Sequence, residues 1–275
     1  MSHSGDRGAR FRPRVRPFRR ATVSAVALAL GMLTAVPIVP AAAQGAGGTE
    51  LGDPFGNARQ RMVDQQVRRR GIREPSVLSA MEQIPRHLFV PEVMKPRAYD
   101  DVPVQIAPGQ TLSQAYVSAR MISLLQLDGD ERVLEIGTGS GYDAAILSKL
   151  AREVWTIEID PDLGSGAIER LERLGYDNVQ VRIDNGYHGW PEKAPFDAIL
   201  VTAAPTEIPE PLFRQLAVGG KMVVAVGYSL HQDLKVITRT GPGPRDRRER
   251  RISMVNLTPM TGGDEEPSRR LDRRD

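Results

Sequence analysis

Eleven residues near the middle of the chain, Arg132-Val-Leu-Glu-Ile-Gly-Thr-Gly-Ser-Gly-Tyr142, limit its fold more than any other stretch. The apolar run Val133 to Ile136 has the length of a buried parallel strand. It breaks straight into Gly137, Gly139 and Gly141, and the apolar segment Ala144 to Leu150 comes next. The order is therefore strand, glycine loop, helix. Glycine at alternate positions lets the chain turn sharply and brings backbone N–H groups close to a ligand that a side chain would keep out. The spacing Gly-x-Gly-x-Gly departs from the Gly-x-Gly-x-x-Gly of dinucleotide sites. Glu135, two residues before the first glycine, offers a carboxylate to a ligand with an amino group, so a cationic amino-acid nucleoside suits this loop better than a pyrophosphate. A tight turn with nothing bound is the competing reading.

Beyond the loop the chain alternates regularly. Strands are expected over Val154 to Ile159, Val179 to Ile183, Phe196 to Thr202 and Met222 to Val226, with helical pieces at Ile168 to Leu174 and Leu212 to Leu216 between them. Strands separated by helices imply parallel βαβ units. Leu234 to Thr240 and Ile252 to Leu257 close the sheet, with Gly241 to Arg251 as a charged loop. The expected fold is α/β, a Rossmann-like doubly wound, mostly parallel seven-stranded sheet with an N-terminal helical extension. Such sheets bind ligands beyond the carboxyl ends of their strands. There Glu158 ends the second strand, placed to accept hydrogen bonds from ribose hydroxyls, with Asp160 as its rival. Asp184-Asn185-Gly186 comes after the third strand, where an adenine amino group could be read. Gly164 and Gly166 weaken the helix after the second strand by about 1 kcal/mol each relative to alanine.

Ahead of the glycine loop, Met62, Val63, Val67 and Ile72 have helical spacing up to Gly71, and Glu74-Pro75-Ser76 opens a second helix with Val77, Leu78 and Met81 on its buried face. Ile84 to Pro91 reads as an extended connection, and Tyr99 to Gly109 as a loop. Gln110 to Gln114 is expected to start a third helix, with Thr111 or Ser113 as its N-cap and Leu112, Ala115, Ala119, Ile122 and Leu125 on its apolar face. From spacing alone, a serine or threonine there caps a helix and need do nothing else.

The chain's net charge of +3 suggests a nucleic-acid partner and misleads, because residues 1–43 hold seven Arg and one Asp and leave the rest at −3. The cluster Arg245 to Arg251 is interleaved with Asp246 and Glu249, as suits a solvated loop. The chain has no cysteine for disulfides or thiolate ligands, and His3, His87, His188 and His231 lack metal-ligand spacing. Residues 1–20 are basic, Ala21 to Val39 carries no charge, and Ala41-Ala42-Ala43 offers a cleavage site. We therefore expect a signal peptide over 1–43 and an exported protein, with an uncleaved membrane anchor or a cytoplasmic protein as the alternatives. Residues 44–56 read as a linker, 57–262 as the folded domain and 263–275 as a disordered tail.

Five segments carry a resemblance: Ile84 to Pro91, Gly109-Gln-Thr-Leu-Ser-Gln114, Val133 to Tyr142, Ala194 to Ala204 and Gly219-Gly220. Together they resemble the protein-L-isoaspartate O-methyltransferases, a class I S-adenosylmethionine-dependent family, over about Arg61 to Gly262. The resemblance implies S-adenosyl-L-methionine as cofactor and isoaspartyl-containing proteins and peptides as partners, with a monomer expected and no nucleic acid. It makes Ser113 the active-site serine that holds the substrate carboxylate, with Thr111 beside it. Glu135, Gly137, Thr138, Gly139 and Gly141 become cofactor contacts, and Glu158 the ribose partner. Where the family commonly has Gly-Asp-Gly this chain has Asp184-Asn185-Gly186, so Asn185 stands at the adenine-reading position. A carboxylate acceptor is ionised near neutrality, so catalysis implies alignment of its oxygen with the methyl group, about 3 Å away, rather than a general base. A small-molecule methyltransferase would share the glycine loop and Glu158 but has no reason to carry Gln110 to Gln114. A non-catalytic nucleoside-binding domain accommodates Asn185, and an NAD-dependent oxidoreductase is disfavoured by the glycine spacing.

Overall fold

The structure, a computed structural model, describes residues 53–228 and 231–262. The expected signal peptide and tail lie outside the described residues. Helix α1 (Gly56–Met62) runs on through a wider turn at Val63–Val67 and a tighter one at Arg68–Arg70, and Gly71 ends it in the left-handed region at φ 98°. Just before it, Phe55 stacks on His87 at 4.3 Å and Asp53 pairs with Arg59 at 2.6 Å. Residues 53–56, expected to belong to the linker, are thus part of the folded body. Helix α2 (Pro75–Gln83) has proline in its first turn, where the missing N–H has no intrahelical partner to lose, and it buries Val77, Leu78 and Met81. The connection after it is not fully extended, because Arg86–Phe89 forms a 3₁₀ turn with Arg86 and Phe89 buried.

The main difference from expectation comes next. Strands β1 (Val104–Ala107) and β2 (Gln110–Leu112) make an antiparallel hairpin around Gly109, which sits at φ 73°. Thr111 lies opposite Gln105 in that ladder. It cannot also cap a helix. Helix α3 starts only at Ala115 and runs to Leu125, with Gln114 at its N-cap and no side chain capping it. The apolar period of this segment is real, since Ala115, Ala119, Ile122 and Leu125 are all buried. The Pro108-Gly109 turn, which commits the next residues to an extended partner, delays the helix start.

From there the chain builds β3 (Arg132–Ile136), α4 (Tyr142–Ser148), β4 (Glu153–Glu158), α5 (Pro161–Arg173), β5 (Val179–Ile183), β6 (Phe196–Val201), α6 (Glu210–Gln215), β7 (Leu216–Tyr228), β8 (His231–Arg239) and β9 (Arg247–Val255). One seven-stranded sheet has the order β5-β4-β3-β6-β7-β8-β9, parallel up to β7 and antiparallel at the two last pairs. This is the expected doubly wound sheet. Strand β9 takes up Arg247 to Arg251, expected as loop. Its charges pair along it, Arg247 and Lys235 with Glu249 and Arg251 with Asp233, so a wet edge strand carries no apolar alternation to read.

Alternate residues of β3 face opposite sides of the sheet. Val133 joins the larger apolar cluster with α2, α3 and α4, while Leu134 and Ile136 join Trp155, Phe196 and Phe213 on the other side. The chain leaves β3 toward β4 and leaves β6 toward β7, so the strand order reverses between β3 and β6. That switch point is where the glycine loop emerges.

Candidate active site

A cavity of about 80 Å³ opens at the switch point. Gly137 and Gly139 from the glycine loop, Glu158 at the end of β4 and Gly186 after β5 line it, and Gln110 and Thr111 of the hairpin form another wall. Of the residues expected at a site, Thr111, Gly137, Gly139 and Glu158 line this cavity together, whereas Ser113, Glu135, Thr138, Gly141, Asp184 and Asn185 lie outside its lining. Two walls were not foreseen. Thr202 and Ala203 come directly after β6, and Thr258 to Thr261 form a strap along the cavity wall. The strap is pinned by an isolated bridge between Ala204 and Pro259, with Ala204 N–H donating to Thr258 at 2.8 Å and Met260 N–H to Ala204 at 2.8 Å. Nothing local in Thr258-Pro-Met-Thr261 marks it as ligand-facing. Only its pairing with a residue far away in sequence does so.

The glycine loop is a cradle that a side chain would fill. A Cβ on Gly137, whose φ is 95°, would lie 2.5 Å from Thr202 Oγ1, and one on Gly186 would lie 2.5 Å from Ile136 Cγ2. Thr202 holds the approach closed by donating its hydroxyl to the carbonyls of Ile136 and Gly137, at 2.9 and 2.7 Å. The loop's amides are largely taken. Gly137 and Thr138 donate to the Ile157 carbonyl, Gly141 donates to Thr138, and Gly139 donates to Glu158 Oε2 at 2.7 Å. Close approach is thus the loop's main offer, in place of the free N–H donors expected from its sequence.

Glu158 is 6% exposed and anchored at both oxygens, Oε2 by Gly139 and Oε1 by the Asp160 amide at 3.0 Å. A carboxylate has about four acceptor positions, so both oxygens retain capacity toward ligand hydroxyls. Asp160 has another task. It caps α5 by accepting from the amides of Asp162 and Leu163 at 2.9 and 3.1 Å.

Glu135 lies fully buried behind the loop, on the face that carries α4. Thr156 donates its hydroxyl to Oε2, Thr138 donates in turn to Thr156 at 2.6 Å, and Oε1 has no partner. Burial, together with nearby Asp143, pushes its pKa well above the ordinary carboxylate value of 4.5, against the Thr156 hydrogen bond. A buried acceptor with one empty side is what a cationic amino group would satisfy. Gly141, at φ 88°, caps α4 and faces Leu171. Asp184 is exposed and accepts from the Asn185 amide at 2.7 Å. Asn185 accepts from the Tyr187 amide at 3.0 Å and donates through Nδ2 to the Gly262 carbonyl, so it ties the loop after β5 to the end of the strap. Ser113, half-buried, comes after Leu112 at the end of β2.

The cavity lining fits a nucleoside, with the acidic Glu158 for hydroxyls and a Cβ-free cradle, while the unpaired acceptor of Glu135 lies behind the loop and outside the lining. The cavity is smaller than the roughly 300–1,000 Å³ of small-molecule sites.

Residues 57–264 match the model of the family described as protein-L-isoaspartate(D-aspartate) O-methyltransferase. Over 210 residues the chain is 48% identical to a protein-L-isoaspartate O-methyltransferase of Picosynechococcus sp., covering 76% of this chain and 93% of that one. It is 52% identical over 208 residues to protein-L-isoaspartate O-methyltransferase 1 of Syntrophobacter fumaroxidans, covering 76% and 96%. A solved protein-L-isoaspartate O-methyltransferase superposes with a TM-score of 0.68 at 27% identity, covering 74% of this chain and 66% of that one. A Plasmodium falciparum structure in complex with S-adenosyl-L-homocysteine superposes at 0.63, also at 27% identity, covering 74% and 98%. With the match running through the glycine loop, the hairpin and the strap alike, the chain belongs to the protein-L-isoaspartate(D-aspartate) O-methyltransferase family.

Proposed function

We propose that the chain transfers the methyl group of S-adenosyl-L-methionine to the free carboxylate of L-isoaspartyl residues in damaged proteins and peptides, starting their repair, and that Ser113 orients that carboxylate. One observation carries the assignment of roles. Gln110 and Thr111, which lead into Ser113, share a cavity with the glycine loop and Glu158. The substrate segment and the nucleoside segment thus adjoin.

Bound S-adenosyl-L-methionine supplies an electrophilic methyl group. The chain's residues hold and shield the reactants. In this reading Glu158, on the cavity wall, takes the ribose hydroxyls, Glu135 Oε1 the amino group and the Asp184-Asn185 turn the base. Ile106, Ile136, Ile157 and Met260 give the cavity its apolar lining. The acceptor carboxylate is already ionised near neutrality, so no general base is needed and orientation supplies most of the gain. The Ser113 hydroxyl can donate a charge-assisted hydrogen bond to one carboxylate oxygen while the other attacks. In the same reading the leader at 1–43 exports the protein, which acts as a monomer on proteins outside the cytoplasm.

The test mixes the full chain with labelled S-adenosyl-L-methionine and two peptides that differ only in L-isoaspartyl against L-aspartyl. Label on the isoaspartyl peptide alone, released by mild base, is the expected result. Ser113→Ala is expected to lower turnover about 100-fold while cofactor affinity stays nearly unchanged, as the loss of an orienting donor implies. Tight cofactor binding with no label on either peptide would sink the proposal.

A further inference from the structure

Arg86 is the largest fully buried side chain among the described residues, at 0% exposed. Among those residues it forms no ion pair. Instead its guanidinium donates to two carbonyls: Nε to Ala98 at 2.7 Å and Nη2 to Ser113 at 2.6 Å. Its Nη1 has no partner, and its central carbon lies 4.8 Å from the centre of the Tyr142 ring. Burying a cation without a direct ion pair is expensive, and an apolar side chain of similar volume is often neutral or stabilising in such a place. Packing alone therefore does not account for an arginine here.

The contacts of the guanidinium show what it connects. Arg86 sits on the 3₁₀ turn after α2, Ala98 precedes the hairpin, Ser113 leaves the hairpin, and Tyr142 is the first residue of α4, next to Gly141 of the glycine loop. One planar fork thus holds the serine turn and lies against the start of the helix after the cofactor loop. Ser113 gets no help from helix geometry, since α3 starts two residues later and its cap is Gln114. The direction of its hydroxyl depends on how its own peptide is held, and Arg86 grips the carbonyl of that peptide.

Resting on the reading of Ser113 as the group that orients the substrate carboxylate, we propose that Arg86 is a positioning residue for methyl transfer: it fixes the Ser113 turn against the start of α4 without touching cofactor or substrate. Tyr142 provides a surface for the cation, and Asp143 lies close enough that Arg86, with Ser118, opposes the rise that burial gives its carboxyl pKa. A lysine can reach only part of this arrangement, because an ammonium lacks the rigid fork that spans two carbonyls.

The experiment compares wild type, Arg86→Lys and Arg86→Met in the full chain, measuring thermal midpoint, Kd for S-adenosyl-L-homocysteine, and kcat and KM for the isoaspartyl peptide. Both variants are expected to bind S-adenosyl-L-homocysteine within about threefold of wild type, a difference of well under one tenfold step. Arg86→Met is expected to lose about 100-fold in kcat/KM, most of it in kcat, as misplacement of an orienting group does. Arg86→Lys is expected to recover part of that loss. Two results overturn the proposal: kcat/KM within about threefold of wild type in both variants, or cofactor affinity, thermal midpoint and kcat/KM falling together in both, which marks a purely structural arginine. A wild-type chain that fails to methylate the peptide defeats the reading of the active site instead, so the two failures are distinct.

Discussion

At the scale of single residues, Glu135 shows burial changing a group's chemistry. Its sequence position beside the glycines suggests a carboxylate waiting for a cation. In the structure it is enclosed, and its pKa is raised well above 4.5, chiefly by burial and next by Asp143. The folded chain then holds a proton that the unfolded chain has released, over a pH window that begins near 4.5. Because the folded state binds more protons in that window, stability falls as pH rises through it. Glu135→Gln keeps an acceptor for Thr156 and removes the titration. Without cofactor, denaturant unfolding is expected to show wild type losing stability relative to Glu135→Gln from about pH 5 upward, by up to about 1.4 kcal/mol per pH unit inside the window. Asp143 contributes to both proteins and largely cancels in the difference. A wild type that gains on the variant with rising pH refutes the assignment. Asn185 carries a similar lesson: its sequence shows a departure at the base-reading position, but only the fold shows its amide holding both the Tyr187 turn and the strap.

At the scale of elements, α5 separates two glycines that look alike in sequence. A Cβ on Gly164 would lie 2.7 Å from Ile183 Cγ1 and 3.5 Å from Glu158 Cβ, whereas one on Gly166 meets nothing within 4 Å. Gly164 lets the helix lie close to the end of β5, beside the residue assigned to the ribose. Gly166→Ala is therefore expected to stabilise the protein by about 1 kcal/mol, the helix-propensity gain. Gly164→Ala, with the same propensity gain, is expected to show no net gain or a loss of about 1 kcal/mol from crowding Ile183, read by urea unfolding of the two variants side by side. Equal stabilisation by both would show that Ile183 yields without strain. The hairpin carries the complementary point. The period of α3 was legible, but its first turn was not, because Thr111 is engaged by Gln105, and that partner is set by the Gly109 turn rather than by helix propensity.

At the scale of the whole molecule, the leader and the body raise separate questions. The uncharged Ala21 to Val39 after a basic start, with Ala41-Ala42-Ala43 beyond it, supports export of a body that carries no net positive charge. When the full chain is expressed in a bacterium with an envelope, the recovered protein is expected in the envelope fraction with an intact mass lacking residues 1–43. A full-length chain in the soluble cytosolic fraction is the outcome against export, and a full-length chain held in the membrane fraction indicates an anchor. In the body, local sequence determined the strand-loop-helix unit at Val133 to Leu150, the alternation that makes a doubly wound sheet, and acidic residues at the ends of β4 and β5, because strand length, glycine spacing and apolar period are properties of neighbours in the chain. Tertiary structure alone decided that Thr258 to Thr261 lines the cavity, that the loop's amides turn inward, that Glu135 is sealed behind it and that a buried arginine grips the Ser113 turn. Each of these depends on contacts between residues far apart in sequence, where burial and unpaired polar groups, not local propensity, set the energy.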